Sequence, residues 1–398
     1  MSDTQVKSAW PDASWWSDAV IQDTFVDPLG LEKFWFQWYL DGFVDQGHGK
    51  LKCLLGRPGS GKTHFLRHFG MMARQAGYQV AMVNFAEVKV AAIEDLYRAA
   101  AQQMDWDDLL SRLLLHIIAT ELGYPDFSGH PKEFVAWGEN TRQLTPTFLR
   151  RDLREAIDRY LKRTDWHPEF RLAVRTWMQE QVGDLAPNES AVVAWLRGEK
   201  LGAAQRKSVG VRSNVTRRTA RALLASLASL THRTFGKGLL VLMDNLHAIA
   251  SGTKTEGQPY YTKMARDQVY EMIRELIDES PFTPYLVTIV AGNTDPLVQV
   301  RKGIPSYPAL WERLESEVQS AYVNRFADLM DLDTLWDGDE ALLADLTHHW
   351  EGVKPLASPL NRPDGEPTGV LGLEWGKPRR TVMELWENSD WEGGQPTW

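Results

Sequence analysis

Lys50-Leu51-Lys52-Cys53-Leu54-Leu55-Gly56-Arg57-Pro58-Gly59-Ser60-Gly61-Lys62-Thr63 decides the fold of this 398-residue chain. A short apolar run meets a glycine-rich turn of the form G-x-x-x-x-G-K-[ST], and Lys62 to Ala76 then continues with helical spacing up to Gly77. Glycines let successive backbone N–H groups turn inward around a phosphate. The following helix aims the positive end of its dipole at the same charge. The phosphate-cradling residues are therefore Gly56, Pro58, Gly59, Ser60, Gly61, Lys62 and Thr63, with His64 next in line.

Working outward, Leu29 to Val44 has helical apolar spacing and ends at Gly47 to Gly49, while Gln79 to Phe85 reads as a second strand. Helix, strand, glycine turn, helix, strand is the opening of an α/β unit with a parallel sheet. From about Ala91 to Thr234 the pattern is almost wholly helical, with breaks near Gly123 to Pro131 and Gly183 to Ser190. Strand signals return at Gly238 to Met243 and Tyr285 to Ala291. Between these two lie a loop from Ser251 to Gln258 and an amphipathic helix from Tyr261 to Ile277. One α/β domain carrying a helical insertion accounts for this order. Asp331 to Trp398 reads as helical with a Pro/Gly-rich loop at Val353 to Gly372.

Composition narrows the class. With 43% hydrophobic and 24% charged residues the chain is globular, and it holds no run of 18 apolar residues and no leader pattern, so the expectation is a soluble, cytoplasmic protein. Cys53 has no partner for an intrachain disulfide, and the ten histidines show no metal-ligand spacing. Net charge is −9, yet Arg197 to Arg221 carries eight bases against Glu199 alone, a local +7, while Ala327 to Trp398 carries fifteen acids against five bases, a local −10. Such asymmetry fits either a DNA contact through Arg197–Arg221 or pairing with the acidic C-terminal segment.

A phosphate loop with Mg²⁺ needs a second oxygen ligand besides the Thr63 hydroxyl. Asp244, ending the strand LLVLMD, supplies it. Asn245 follows, where many ATPases of this kind carry a glutamate that takes a proton from the attacking water. An amide orients water but accepts no proton at neutral pH. Turnover is then slow, or borrows a base such as Glu87, or nucleotide serves as a switch; His247 is a weaker candidate base, read more readily as a packing or surface histidine. Asn293 or Thr294, at the tip of the next strand, is placed to contact the γ-phosphate or the water, although such residues are also ordinary turn formers.

In this order the pieces resemble the AAA+ ATPases, particularly the initiator-like branch. A closer likeness is to the BrxD-like P-loop ATP-binding proteins of bacterial BREX phage-defence systems. It is carried by GSGKTHFLR (59–67), VVAWLRGE (192–199), VRSNVTRRTARALLASLASL (211–230), GLLVLMDN (238–245) and RKGIPSYPALWERL (301–314). Phosphorothioate-type DNA defence uses similar ATPases, so the operon type stays open. The resemblance implies a nucleotide-binding core over 1–325 with its insertion at about 91–234, and a helical lid over 326–398. It also implies ATP and Mg²⁺ as cofactors, and as partners other defence proteins, DNA and copies of the same chain in an ATP-dependent oligomer. From it come the sensor arginine at the head of a lid helix, Arg379 or Arg380 in GKPRRT, and an intersubunit arginine finger at Arg313, with Arg301 as second choice. A nucleotide-stabilised scaffold with little turnover is the competing function. A small-molecule kinase is disfavoured because no acceptor-substrate module is evident.

Overall fold

In the computed structural model residues 17–183, 189–251, 257–318 and 324–336 are described, with His348 and Pro378 besides. A five-stranded parallel sheet forms the centre: β1 (Lys50–Gly56), β2 (Gln79–Asn84), β3 (Leu239–Asp244), β4 (Leu286–Asn293) and β5 (Leu329–Asp331), in the spatial order β2-β3-β4-β1-β5. The strands read as continuous apolar runs because helices cover both faces of the sheet; all six residues of β3 are buried.

On one face lie α1 (Asp18–Thr24), α2 (Leu31–Trp35) running on as π-helical turns over Phe36–Val44, and α3 (Lys62–Gln75). Trp35, Leu66, Phe69, Leu242 and Ile289 share the apolar cluster on this side. The expected single helix over Leu29 to Val44 is thus composite. It begins at Leu29 and Gly30, both with positive φ (51° and 67°).

The other face is built by the segment between β2 and β3, where the described residues are helical: α4 (Ile93–Ala101), α5 (Trp106–Glu121), α6 (Phe134–Arg142), α7 (Pro146–Lys162), α8 (Pro168–Gln181), α9 (Glu189–Leu196), α10 (Ala203–Val209) and α11 (Arg217–Phe235). Local sequence sets their starts. Asp105 accepts from the Asp108 N–H at 3.1 Å, and Thr145 caps α7 ahead of Pro146, a residue whose missing donor costs nothing in a first turn. Trp106, Trp177, Trp195 and Phe170 are buried here, continuous with the sheet-side cluster of Val241 and Met243. After β3 come α12 (Lys263–Glu279), α13 (Thr294–Val298), α14 (Pro308–Val318) and, beyond β5, α15 (Leu332–Trp336).

The sheet runs past the expected core boundary at 325, and the expected all-helical reading from Asp331 onward begins with a strand residue. Leu329, Met330 and Asp331 pair in parallel with Cys53, Leu54 and Leu55. The buried Lys52 anchors the approach, donating to the Phe326 and Ala327 carbonyls at 2.6 Å each while its ammonium lies 4.3 Å over the Tyr39 ring. Beyond residue 336 the expected lid lies outside the described residues apart from His348 and Pro378.

Candidate functional site

Parallel strands end together, so their registers bring the last residues into one row. Asn84 lies opposite Asp244, Asn293 opposite Gly56, and Leu55 opposite Asp331. β4 stands between β1 and β3, and the crevice at the carboxyl ends of such strands is where open α/β sheets bind ligands.

The loop after β1 turns through Gly59 (φ 80°) and Gly61 (φ 95°), conformations costly for any other residue. Lys62 folds back over it, its ammonium donating to the carbonyls of Gly56 and Arg57 at 2.8 Å and to Ser60 Oγ at 3.2 Å. Burial lowers the Lys62 pKa to about 8, against the opposing pull of Asp244, Asp333 and Asp331. Across the crevice the Thr63 hydroxyl donates to Asp244 Oδ2 at 2.7 Å, joining the loop to the end of β3.

Asn245 sits in the left-handed region (φ 58°, ψ 36°), where asparagine is far better tolerated than glutamate. Its N–H donates to Asp244 Oδ1 at 2.7 Å, and its amide Nδ2 donates to Asn84 Oδ1 at 3.1 Å. Asn84 Nδ2 in turn donates to Glu87 Oε1 at 2.9 Å. A carboxylate therefore stands two hydrogen bonds from the Asn245 amide.

His247, weighed as a candidate base or a packing or surface histidine, is packed at the end of β4. Its Nδ1 accepts the Asn293 backbone N–H at 3.2 Å. A backbone amide can only donate, so the neutral ring carries its proton on Nε2 and is a donor there rather than a base. Burial first, and the nearby Lys62 charge second, lower its pKa to about 4. Thr294 Oγ1, one residue beyond Asn293, is buried with no hydrogen-bond partner among the described residues.

Other expected residues go elsewhere. The His64 ring turns away to α1, with Nε2 3.0 Å from the Ile21 carbonyl and 3.1 Å from Thr24 Oγ1, so its side chain fixes the N-terminal helix to α3. Arg313 grips Asp278 of α12 with two hydrogen bonds of 2.5 and 2.6 Å. That bond raises the Arg313 pKa and lowers that of Asp278. Arg301 is exposed, and Arg379 and Arg380 lie outside the described residues. Within the basic segment Arg221 pairs with Glu275 and Glu279 of α12, whereas Lys200, Lys207, Arg212, Arg217 and Arg218 are exposed. A partner for Arg221 thus comes from within the core.

Sequence reading also missed the contribution of the residues after β5. Asp333 Oδ2 accepts the Arg57 N–H at 2.5 Å and lies 3.3 Å from the Arg57 guanidinium, and Trp336 Nε1 donates to the Ser60 carbonyl at 3.0 Å. Burial raises the Asp331 pKa, and Asp333 adds to the rise.

No helix among the described residues is long and apolar enough to cross a membrane, and no cluster of three or more His, Cys, Asp or Glu residues among them is arranged to hold a metal. No curated protein and no solved structure matches the chain. The family model for the BREX system ATP-binding proteins BrxC/D matches residues 40–348, which takes in all of β1–β5 and the whole helical insertion. By that match, well over half of its length, the chain belongs to the BREX system ATP-binding protein family BrxC/D.

Proposed function

We propose that this ATP-binding protein is a Mg-ATP-dependent ATPase whose nucleotide state governs assembly on DNA or on other proteins of the defence system. The observation that carries the reading is the 2.7 Å bond between Thr63 Oγ1 and Asp244 Oδ2. It brings together the hydroxyl and carboxylate oxygens that a hard cation takes as ligands, beside a lysine already seated in the loop. Mg²⁺ held there would neutralise charge on the phosphate oxygens. Gly59, Gly61 and Lys62 would cradle the phosphates, and Asn293 with Thr294 and the Nε2–H of His247 would supply donors beside the γ-phosphate. Since Arg313 is engaged by Asp278, the exposed Arg301 takes the intersubunit role in an oligomer. Arg379 and Arg380 keep theirs on the lid. The exposed cations from Lys200 to Arg218 form the surface for DNA phosphates.

Asn245 favours a second reading, a nucleotide-stabilised scaffold with little turnover. Phosphate release measured with Mg-ATP, with and without duplex DNA, separates the two. DNA-stimulated release supports the ATPase; tight nucleotide binding without release supports the scaffold.

A further inference from the structure

The strands begin as well as end together, and at their amino-terminal edge, away from Gly56 and Asp244, a cavity of about 450 Å³ opens between the insertion and the start of β4. Ser229, His232 and Arg233 of α11, Tyr160 of α7 and Asp165 of the α7–α8 connection line it, with Tyr285 just ahead of β4. Two features set it apart from a packing gap. Arg233 Nε and His232 Nδ1 are buried without a hydrogen-bond partner among the described residues. A buried polar group left unpaired costs about 1–3 kcal/mol, and both of these residues line the same cavity. Tyr285, in turn, holds φ at 64°, costly for so bulky a residue. Its N–H donates to the His48 carbonyl at 3.2 Å and its carbonyl accepts from the Leu239 N–H at 2.8 Å, which fixes the strained residue between the approach to β1 and the start of β3. In that pose its ring stacks on His232, centroids 3.7 Å apart and planes 7° from parallel, and walls the cavity.

We infer that this cavity binds a small organic phosphate, with the nucleoside monophosphates as the matching class. The Arg233 guanidinium, its Nε buried without a hydrogen-bond partner among the described residues, and the neutral His232 ring in its Nδ1–H tautomer would donate to one phosphate group. Asp165 argues against a second. Its carboxylate, tied to Ser229 Oγ at 3.3 Å, repels further negative charge and accepts an N–H from elsewhere on the ligand. Tyr160 and the His116 ring, 6.0 Å apart with planes 76° from parallel, form an aromatic corner in which a base can pack against one of the two rings. The volume falls in the range of small-molecule pockets. A ligand held there touches α11, which leads into β3, and Tyr285, which leads into β4, the two strands ending at Asp244 and Asn293.

The site is independent of the reading at Lys62, and its test is run on a Lys62→Ala chain so that the phosphate loop contributes least. Calorimetric titration uses AMP, GMP, CMP, UMP and inorganic phosphate, with circular dichroism confirming the fold. One nucleoside monophosphate is expected to bind at one per chain and more tightly than inorganic phosphate. Arg233→Gln should weaken it at least tenfold, and Arg233→Lys should restore part of the loss. Binding by none of the probes, equal binding by inorganic phosphate, or binding untouched by Arg233→Gln each overturns the assignment.

Discussion

Asn245→Glu places a carboxylate where the proposed reaction lacks one, and the structure sets the expected gain against a definite cost. The backbone at 245 is left-handed, φ 58° and ψ 36°, which costs an ordinary side chain about 1–2 kcal/mol more than it costs asparagine. The substitution also removes the Nδ2 donor to Asn84, worth about 1 kcal/mol. To receive a hydrogen bond from Asn84, the new carboxylate has to compete with Glu87, which holds Asn84 Nδ2 at 2.9 Å. A loss of about 2–3 kcal/mol in unfolding free energy is therefore expected, read by urea denaturation. Against it stands the contribution of a positioned general base, about 10²–10⁴ in rate.

Phosphate release at saturating Mg-ATP is the assay, with ATP affinity measured in parallel and Asn245→Gly as the control that accepts the left-handed backbone without a side chain. Faster release from the Asn245→Glu protein, with the glycine variant no faster than wild type, is the expected result. Slower or unchanged release at intact affinity refutes the reasoning, because the missing base would not then be what limits turnover. Glu87→Gln in the wild-type background is the companion experiment: a collapse of release there locates the base two hydrogen bonds away.

Lys62→Ala should weaken ATP binding about ten- to a hundredfold, the worth of one or two charge-assisted hydrogen bonds, in nucleotide titrations. Its fold should survive, since the buried ammonium's desolvation, visible in a pKa of about 8, offsets its bonds to the loop. His247 has its pKa lowered to about 4, so between about pH 6.5 and 4 the unfolded chain binds a proton that the folded chain refuses, and stability falls as pH drops through that window. At about 1.4 kcal/mol per unit the contribution is about 3–4 kcal/mol, and His247→Asn should flatten the acid limb of stability against pH; an unchanged limb counts against the buried neutral ring. Charge reversal of Arg217 and Arg218 to Glu should weaken duplex DNA binding uniformly across sequences and reduce the log–log salt slope by about 0.9 per lost phosphate contact. Wild-type affinity after that reversal would leave the exposed cations without a role in DNA binding.

What the sequence showed well is what depends on local pattern. KLKCLLG and LLVLMD read as strands and form β1 and β3, and the glycine spacing of Gly56 to Thr63 reads as a phosphate turn, because glycine spacing and apolar runs act within a few residues. The insertion was visible for the same reason, its apolar residues recurring at helical spacing. Side-chain destinations were not visible. Arg313 reads as a free arginine until α12 presents Asp278 beside it, and His247 reads equally as a packing or a surface histidine until the end of β4 presents the Asn293 N–H. Asn245 shows the same limit from the other side. Its residue type speaks of a missing base, while its φ of 58° gives the backbone a separate reason to prefer asparagine.

β5 is the sharpest case. Three residues carry too little periodicity to announce a strand, and the acids at 328, 331 and 333 make the segment look like the start of a solvated helical tail. What makes it a strand is supplied from far away: the Cys53 N–H donates to the Asp328 carbonyl at 2.6 Å, and Lys52, 274 residues from Phe326, collects the carbonyls leading into it. Its acids are then placed, since Asp331 ends the strand and Asp333 turns back to take the Arg57 N–H. Trp336 closes the Ser60 carbonyl, so two polar backbone groups of the phosphate loop are satisfied by residues beyond the last strand. A division of the chain at 325 would strip them from the loop. Residues 329–336 are thus tied to β1 and to the loop after it by backbone pairing and by two side chains, and the loop's own backbone, rather than the composition of the tail, is what holds them there.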